Sequence, residues 1–337
     1  MTQPYFPHLH PLVPTEVLDT YWRFATERQR IFFKRFHGEP SPWTEDPILL
    51  RHKFTNAYRA ADRVSQYLIS EVIYNPVYPS DHNEVFFRII LFKLFNKIET
   101  WELLTRNLGL LTLDTFDVAR YSSVLSEAMS NGHSVYSGAY IMPSGSRVFG
   151  FKRKHHTHLC LLEMMIADEA WKKIADCRTM QRAFYLLRDY PTIGDFLAYQ
   201  YVTDINYSEL TNFSEAEFVV PGPGALDGIR KCFKDTAGLT GPEVIKFVAE
   251  VKEQEFDRLG LNFQTLWGRP LQLIDCQNLF CEVDKYARER HPLVKGISGR
   301  TRIKQIFRPV NKSIQFTFPP KWGIAPKPAP YDVVEQN

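Results

Sequence analysis

The chain has 337 residues, of which 44% are hydrophobic and 23% charged, so it can bury a large core and is not a disordered chain. No apolar run is long enough to span a membrane, since even the richest stretch, residues 86–95, contains Arg88 and Lys93. Five cysteines without a Cys-x-x-Cys pair, and a start unlike a signal peptide, predict a cytoplasmic protein.

Hydrophobic periodicity predicts a mainly α protein with a few short strands. A proline-rich leader to about Pro14 precedes a predicted helix over 16–36. Further helices are expected over 56–72, 83–105, 115–129, 158–174, from 222–224 onward, and over 242–259. We expect an N-terminal helical extension over 1–40, a main helical domain over 41–318 and a loose proline-rich tail over 319–337.

The segment 186–198 resembles a helix–hairpin–helix motif, in which a Pro-Gly-apolar-Gly turn joins two helices. Its turn is Pro191-Thr192-Ile193-Gly194. Unpaired N–H groups and the dipole at a helix start attract anions, so we expect Pro191, Ile193 and Gly194 to hold a DNA phosphate. Thr192 replaces the first glycine, so the backbone there must avoid positive φ or bear strain. The alternative is an ordinary helical corner packed in a core.

Positive charge is concentrated near the C-terminal end of the main domain. Residues 285–312, from Lys285 to Lys312, contain nine Lys or Arg against one acid, Glu289. The window carries +8, and because the whole chain carries +3, the remainder carries −5. Such asymmetry predicts a polyanion-binding face, with Arg300, Arg302 and Lys304 as phosphate contacts, although a solvated basic tail is the alternative.

Several blocks resemble one protein family. They are WTEDP (43–47), FTNAYRAADR (54–63), FKLFNKIETW (92–101), TDINY (203–207), PGPGA (221–225) and DCQNLFCEVDKY (275–286). They look like the alpha-glutamyl/putrescinyl thymine pyrophosphorylases, whose helical domain is shared with 5-hydroxymethyluracil DNA kinases. The resemblance implies a helix–hairpin–helix fold similar to that of DNA glycosylases, and action on hypermodified pyrimidines of phage DNA.

The function predicted from this resemblance is a DNA glycosylase-like hydrolase. It would flip out and excise a hypermodified pyrimidine, for example a glycosylated 5-hydroxymethylpyrimidine, from double-stranded phage DNA in anti-phage defence. One alternative is a transferase that displaces pyrophosphate from an activated 5-hydroxymethylpyrimidine with an amine or amino acid. The other is a DNA-binding module without catalysis. No obligate protein partner is expected.

Base excision requires a carboxylate near the sugar, where positive charge develops in the transition state. Asp204 is the first candidate because it interrupts an apolar run over 196–205. Glu217 is the second and Asp275 a further candidate. For Asp204 and Glu217 the alternative is a helix-capping or surface carboxylate.

A pocket for the base is expected from polar side chains at helical spacing and from two tyrosines. In a helix, Asn278, Glu282 and Lys285 would share one face. Similar stripes contain Asn56 and Arg59 with Arg63, and Lys93 and Asn96 with Thr100. The candidate base-pocket residues are Asn56, Arg59, Lys93, Asn96, Tyr136, Tyr140, Gln277, Asn278, Glu282 and Lys285. The alternatives are a buried structural network and core tyrosines.

Neither a metal nor a cofactor is expected. The His155-His156-x-His158 cluster has no Cys or carboxylate at ligand spacing, and its surroundings over 147–158 predict a basic loop near phosphate. The sequence contains no Gly-x-x-x-x-Gly-Lys motif and no Gly-x-Gly-x-x-Gly after a strand. A binding motif for a nucleotide or dinucleotide is therefore not predicted.

Overall fold

The structure is a computed structural model that describes residues 12–140, 142–309, 315–324 and 326. The chain divides into two compact units. Unit 1 consists of Met1–Asp62, Pro221–Thr317 and Gly323–Asn337, and unit 2 of Arg63–Val220 and Phe318–Trp322. Lys312, the leader before Leu12 and most of the predicted tail lie outside the described residues.

The described residues are mainly helical, which confirms the predicted class. The fourteen α-helices among them are α1 (Glu16–Phe36), α2 (Pro47–Arg51), α3 (Arg63–Tyr67), α4 (His82–Phe95), α5 (Ile98–Leu108), α6 (Val118–Ser130), α7 (Ser146–Phe149), α8 (Lys154–Ala167), α9 (Ala170–Ala175), α10 (Met180–Arg188), α11 (Asp195–Ile205), α12 (Pro223–Cys232), α13 (Gly241–Arg258) and α14 (Leu273–Arg290). Short 3-10 turns cover Arg59–Ala61, Leu113–Thr115 and Pro320–Trp322, and a π-helical turn covers Leu68–Ile73. In unit 1, β1 (Val13–Pro14) pairs antiparallel with β2 (Phe233–Asp235).

Helix α1 has the bounds that the periodicity predicts, and it crosses the core of unit 1. The Thr15 side chain caps its start by accepting a hydrogen bond from the Val17 N–H, with acidic residues in the first turn and basic residues in the last. Tyr21 packs against Phe280 of α14 at 4.6 Å between ring centroids, and Trp22 against Phe256 of α13 at 5.1 Å. The capping residue marks the start of this helix, and its buried residues pack against α13 and α14 in the core of unit 1.

Helices α12 and α14 pack very closely. A Cβ atom added at Gly228 would lie 2.0 Å from the Phe280 carbonyl oxygen, so only glycine fits. Beside this contact, Lys231 Nζ lies 2.8 Å from Asp284 Oδ1, and both side chains are buried. The ion pair joins the two helices across the interior of unit 1.

Helix α4 lies in the core of unit 2 and is buried on every side from Glu84 to Phe95. The predicted single amphipathic helix over 83–105 is wrong, because the chain breaks at Asn96 between α4 and α5. Asn96 adopts a left-handed conformation with φ 48°, and its N–H donates to the Phe92 carbonyl oxygen at 2.7 Å. Asparagine tolerates this conformation better than most residues, and it ends the helix as glycine often does.

Two other predicted helices also differ from the structure. The segment 56–72 is helical only from Arg63 onward, so the expected stripe of Asn56, Arg59 and Arg63 does not form. The segment 158–174 contains two helices, α8 and α9, separated at Glu169, which has φ 49°. Local periodicity continues across such breaks, and a single left-handed residue is enough to turn the chain.

Candidate functional site

A buried ion pair joins helices α4 and α11 in unit 2. Lys93 Nζ lies 3.0 Å from Asp204 Oδ2, with side-chain exposures of 3% and 1%. Lys93 Nζ also donates to Asn96 Oδ1 at 2.6 Å. Removing two charges from water is costly, so a pair this deeply buried is poor evidence of a purely stabilising role. Three predicted site residues thus meet at one point.

Aromatic side chains surround this pair. The half-buried Tyr140 ring lies 4.7 Å from Lys93 Nζ and stacks on Phe196 with ring centroids 5.5 Å apart. Tyr201 donates its hydroxyl to Met142 Sδ at 3.0 Å and lies 3.4 Å from the Lys93 carbonyl oxygen. Burial, and then the nearby Asp204 charge, raise the pKa of Tyr201 far above its ordinary value, so the phenol stays protonated. Sequence reasoning missed Tyr201, although it stands three residues before Asp204 on the same helix.

The backbone around the pair is strained. Both Asn96 and Tyr140 have left-handed conformations, with φ 48° and 56°, and both contact Lys93. Asparagine tolerates this conformation, whereas for tyrosine it costs free energy, and such strained residues cluster at ligand-binding and catalytic sites. The combination of a buried ion pair, an aromatic wall and local strain makes this cluster, the Lys93–Asp204 site, the leading candidate site.

Tyr136 supports the same region through His158. The Tyr136 ring packs on Phe95 at 5.2 Å, and its hydroxyl lies 2.8 Å from His158 Nδ1. The carbonyl oxygen of Pro143, 2.7 Å from His158 Nε2, can only accept, so Nε2 carries the proton and Nδ1 accepts from the tyrosine. Burial lowers the pKa of His158 to about 4. The segment 147–158, predicted as a basic loop, is a loop only in part: Arg147, Lys152 and Arg153 are exposed, whereas α8 begins at Lys154 and buries His155 and His158.

Helix α14 brings another group of predicted residues together in unit 1. Glu282 Oε2 accepts from the Thr55 N–H at 2.9 Å and from Lys285 Nζ at 2.8 Å. Asn278 Nδ2 donates to Thr55 Oγ1 at 3.1 Å, and Lys285 Nζ lies 4.5 Å from the Phe54 ring centroid. The predicted shared face of Asn278, Glu282 and Lys285 is therefore present, and each of its residues contacts the segment 54–55.

Asn56 also belongs to this part of unit 1, but its groups are used in local contacts. Its N–H donates to Asp62 Oδ1 at 2.7 Å, its amide nitrogen to the Ala61 carbonyl oxygen at 2.7 Å, and its amide oxygen accepts from Arg28 at 3.2 Å. Burial raises the pKa of Asp62 to about 7, although the Asn56 hydrogen bond acts against this rise. These contacts shape the loop before α3.

The remaining predicted carboxylates lie elsewhere. Asp275 begins α14, and its two oxygens accept from the N–H groups of Arg59 at 2.8 Å and Gln272 at 3.0 Å. Such a carboxylate acts as a helix cap. Glu217 is exposed in the loop between α11 and α12, and Gln277 is buried within α14. The contacts described for Lys93 and Asp204 include none of these residues.

The predicted hairpin joins α10 to α11 through residues 189–194. Thr192 has φ 70°, so this residue bears the strain that glycine would avoid. Gly194 is the N-cap of α11, and a Cβ atom added there would have nothing within 4 Å. Asp195 in the first turn is ion-paired with Arg188, which offsets its repulsion of an anion. Ile193 is buried, while Pro191 is half-buried.

An open groove of about 660 Å³ borders the hairpin in unit 2. Tyr190 and Pro191 line one end, and Met164 and Ile174 contribute apolar surface. Its polar groups bond to one another, since Asp168 accepts from Tyr190 and from Lys173, each at 2.5 Å. Of the predicted site residues, only Pro191 is among the described residues that line it.

The basic segment of unit 1 separates into paired and exposed cations. Arg288 donates to Asp284 Oδ2 at 2.5 Å, and Lys285 is bound to Glu282 as described above. The exposed cations of the segment, within the described residues, are Arg290, Lys295, Arg300, Arg302, Lys304 and Arg308. This exposure leaves the predicted phosphate contacts accessible to a polyanion.

Metal-ligating side chains are not clustered in the described part of the chain. Among the described residues, no group of three or more His, Cys, Asp or Glu is placed to hold a metal ion. The glycine-rich start of α12 does not form an open phosphate cradle, because a Cβ atom at Gly224 would lie 2.5 Å from Cys281 Sγ. No described helix is both long and apolar enough to cross a bilayer.

Comparisons with known proteins place these observations in a family. A family model described as "5-hmdU DNA kinase, helical domain" matches residues 15–296. A 5-hmdU DNA kinase of Bacillus phage SP10 is 26% identical over 288 residues, which cover 80% of this chain and 44% of that protein. The chain thus spans less than half the length of this relative. The search found no solved structure that matches the present chain.

These matches correct the predicted chemistry. The prediction of a DNA N-glycosylase, a hydrolase acting in phage defence by base excision, is wrong because the family and its relative are named as kinases. The same finding overturns the alternative of pyrophosphate displacement by an amine. The family resemblance itself extended to the kinases' helical domain, and that part is confirmed.

Proposed function

Because the chain belongs to the 5-hmdU DNA kinase helical-domain family, we propose that it takes part in phosphorylating 5-hydroxymethyluracil in DNA. Its role in the reaction is to bind modified double-stranded DNA and to present the 5-hydroxymethyl group. We assign no phosphoryl-donor site to its residues, since the sequence lacks a Gly-x-x-x-x-Gly-Lys motif and Gly224 is closely packed.

The observation that carries this proposal is the Lys93–Asp204 site. Transfer of a phosphoryl group from a donor to a hydroxyl forms a new O–P bond, breaks the bond from phosphorus to the donor's leaving oxygen and releases the hydroxyl proton, which kinases pass to an aspartate. Asp204 provides such a carboxylate, and the Lys93 ammonium, 3.0 Å away, provides positive charge where phosphate charge would develop. In a water-excluded site both interactions are stronger than at the surface.

A base reaches such a site only after leaving the duplex stack, as in other enzymes that act on bases. Lys93 Nζ lies over the half-buried Tyr140 ring and Phe196 stacks on it, so a flipped pyrimidine would stack on this ring by displacing one of them. Asn96 and Lys93 offer hydrogen-bonding groups for the edge of the base. The left-handed Tyr140 backbone is the point at which this wall would shift to admit the base.

Two surfaces are proposed to hold the DNA backbone. In unit 2, the hairpin turn with Pro191, Ile193 and Gly194 leads into α11, and the backbone N–H groups at the start of that helix are offered to one phosphate, as in a helix–hairpin–helix motif of the glycosylase-like kind. The Ile193 N–H is not among them, since it donates to the Tyr190 carbonyl oxygen. In unit 1, the exposed segment with Arg300, Arg302 and Lys304 offers charged side chains. Both kinds of contact bind without reading sequence.

The test compares two duplexes that differ only in one base, 5-hydroxymethyluracil or thymine, by fluorescence anisotropy. We expect the modified duplex to bind about tenfold more tightly or better, because a hydrogen bond to a charged group contributes about 1.5–3 kcal/mol. Asp204→Asn should lose most of this preference. Equal affinity of the wild-type protein for both duplexes would contradict the proposal.

The matched control is Asp284→Asn, which disturbs a second buried Lys–Asp pair, that of Lys231 with Asp284 in unit 1. This variant reports any general loss of folding without touching the proposed base site. It should keep the preference for the modified duplex, and circular dichroism would establish that both variants are folded. Loss of preference in both variants would attribute the effect to folding.

A further inference from the structure

Two aliphatic side chains project into solvent from the loop that follows α14. Leu293 is 90% exposed and Ile297 is 72% exposed, the highest values among the large apolar residues of the described chain. Isolated exposed apolar residues are common, but two nearly complete exposures four residues apart in one loop are unusual. The loop comprises residues 291–300.

The loop is fixed at both ends. His291 lies 2.8 Å from Thr20 Oγ1 and 3.0 Å from Glu16 Oε1 of α1. Toward the other end, the buried Asp227 of α12 accepts from the Ser298 N–H at 2.7 Å and from the Ser298 hydroxyl. These anchors tie both ends of the loop to α1 and α12, while Leu293 and Ile297 between them stay exposed.

Close packing at Gly296 strengthens the second anchor. A Cβ atom there would lie 2.9 Å from Asp227 Oδ1, so the loop approaches the carboxylate as closely as glycine permits. The hydrogen bonds from Ser298 and Ile297, with the nearby Arg300 charge, lower the pKa of Asp227 although burial acts against them. Asp227 is therefore ionised at neutral pH and keeps the loop in place.

The charged residues of the loop itself are all cations, while the carboxylates of Glu16 and Asp227 contact its two ends. Residues 290–304 contain no acid, and Arg290, Lys295, Arg300, Arg302 and Lys304 are exposed. A partner must therefore offer negative charge on its outside and apolar surface within reach. Duplex DNA has this combination, with phosphates along its edges and stacked bases between them.

We propose that Leu293 and Ile297 form an apolar wedge that enters the base stack of bound DNA while the flanking cations hold the phosphates. Proteins that unstack a duplex insert aliphatic side chains in this way. The wedge rests on the proposed function, because it acts on the duplex DNA that the chain is proposed to bind. Two aliphatic side chains are enough to fill a gap between bases, whereas the strength of membrane binding increases with the apolar area buried and favours a larger apolar surface.

The experiment uses the whole chain and a duplex with 2-aminopurine beside a single 5-hydroxymethyluracil. Binding of the wild-type protein should raise the 2-aminopurine fluorescence by unstacking it. The double variant Leu293→Ser, Ile297→Ser should abolish this rise and weaken binding by about tenfold, while leaving the salt dependence of binding unchanged. The control is Val77→Ser, which removes an exposed apolar side chain from unit 2 and should behave as the wild type.

The outcomes separate the wedge from the proposed function. A double variant that binds and unstacks as well as the wild type overturns the wedge and leaves DNA binding intact. A wild-type protein that does not bind the modified duplex removes the proposed function itself. The last measurement is binding to vesicles of phosphatidylcholine and phosphatidylserine. If the double variant loses vesicle binding but unstacks DNA as well as the wild type does, the two side chains bind a membrane and the wedge is overturned.

Discussion

Each unit of the protein contains a buried Lys–Asp pair, and the two pairs differ in their surroundings. Lys93 and Asp204 in unit 2 are 3.0 Å apart, and Lys231 and Asp284 in unit 1 are 2.8 Å apart. All four side chains are no more than 3% exposed. Distance and burial alone therefore do not distinguish a candidate site from a structural bond.

The surroundings do distinguish them. Lys231 Nζ also donates to the Asp284 carbonyl oxygen at 2.9 Å, and Asp284 accepts from a second cation, Arg288, in the closely packed contact of α12 with α14. Lys93 instead contacts Asn96 and Tyr140, two residues with left-handed backbone. Backbone strain and an aromatic wall at the Lys93–Asp204 pair, and regular helix packing at the Lys231–Asp284 pair, are the reasons for proposing only the Lys93–Asp204 pair as a binding site.

The largest expected effect comes from breaking and then replacing each pair. Asp204→Ala or Asp284→Ala should lower the free energy of unfolding by about 3–5 kcal/mol, because each leaves a buried lysine without its carboxylate. Replacing both members, with Lys93→Met and Asp204→Leu or with Lys231→Met and Asp284→Leu, should restore most of this loss. Urea denaturation measures these changes.

DNA binding then separates the two replacements. The variant with Met and Leu at 93 and 204 should bind modified and unmodified duplexes equally, whereas the variant at 231 and 284 should keep its preference. If the first variant still preferred 5-hydroxymethyluracil, the Lys93–Asp204 site would not be where the base binds.

A second difference between the units is their response to pH. In unit 2, the folded-state pKa of His158 is about 4, below its ordinary 6.5. The unfolded state therefore binds a proton that the folded state excludes, and stability falls as the pH drops from about 6.5 toward 4, by about 3 kcal/mol in all. In unit 1, the raised pKa of Asp62, about 7, acts in the opposite direction, since its folded state gains the proton first.

The His158 contribution is measured as the pH dependence of the unfolding free energy in urea, compared with that of His158→Gln. Glutamine can keep a hydrogen bond to Tyr136 or Pro143 but does not titrate. We expect the two curves to run parallel above about pH 6.5 and to converge below it. Curves that stay parallel down to pH 4 would show that His158 is not held neutral.

Much of the helical framework could be predicted from sequence because its signals are local. Helix α1 has a capping threonine, charges that complement its dipole and one continuous apolar face. The breaks at Asn96 and Glu169 were not predicted, because apolar spacing continues across them and only the backbone shows the left-handed turn. Tertiary packing decides such positions.

The sequence indicated several residues of the Lys93–Asp204 site, but not which of them contact one another in the fold. Asp204 stood out as a carboxylate in an apolar run, and Lys93 as part of a polar stripe, yet nothing local indicates that they pair across the fold. The chemistry was mispredicted because the same helical domain can serve different reactions, and a carboxylate that suits base excision also suits phosphoryl transfer. The family comparison, not the residue pattern, distinguishes them.

The smallest expected effects compare two ways of holding phosphate, by charge in unit 1 and by backbone in unit 2. Replacing Arg300, Arg302 and Lys304 by Ala should reduce the slope of log affinity against log salt by about 2.7, since each lost contact contributes about 0.9.

Gly194→Val should lower affinity by about tenfold with little change in slope, because backbone N–H groups carry no net charge and a β-branched side chain would block their approach to a phosphate. The open space at Gly194 and its extended backbone mean that valine fits the folded protein, so circular dichroism should be unchanged. If Gly194→Val unfolded the protein, the hairpin would be a structural corner; if the triple variant kept the full salt slope, the basic segment would not lie on the DNA.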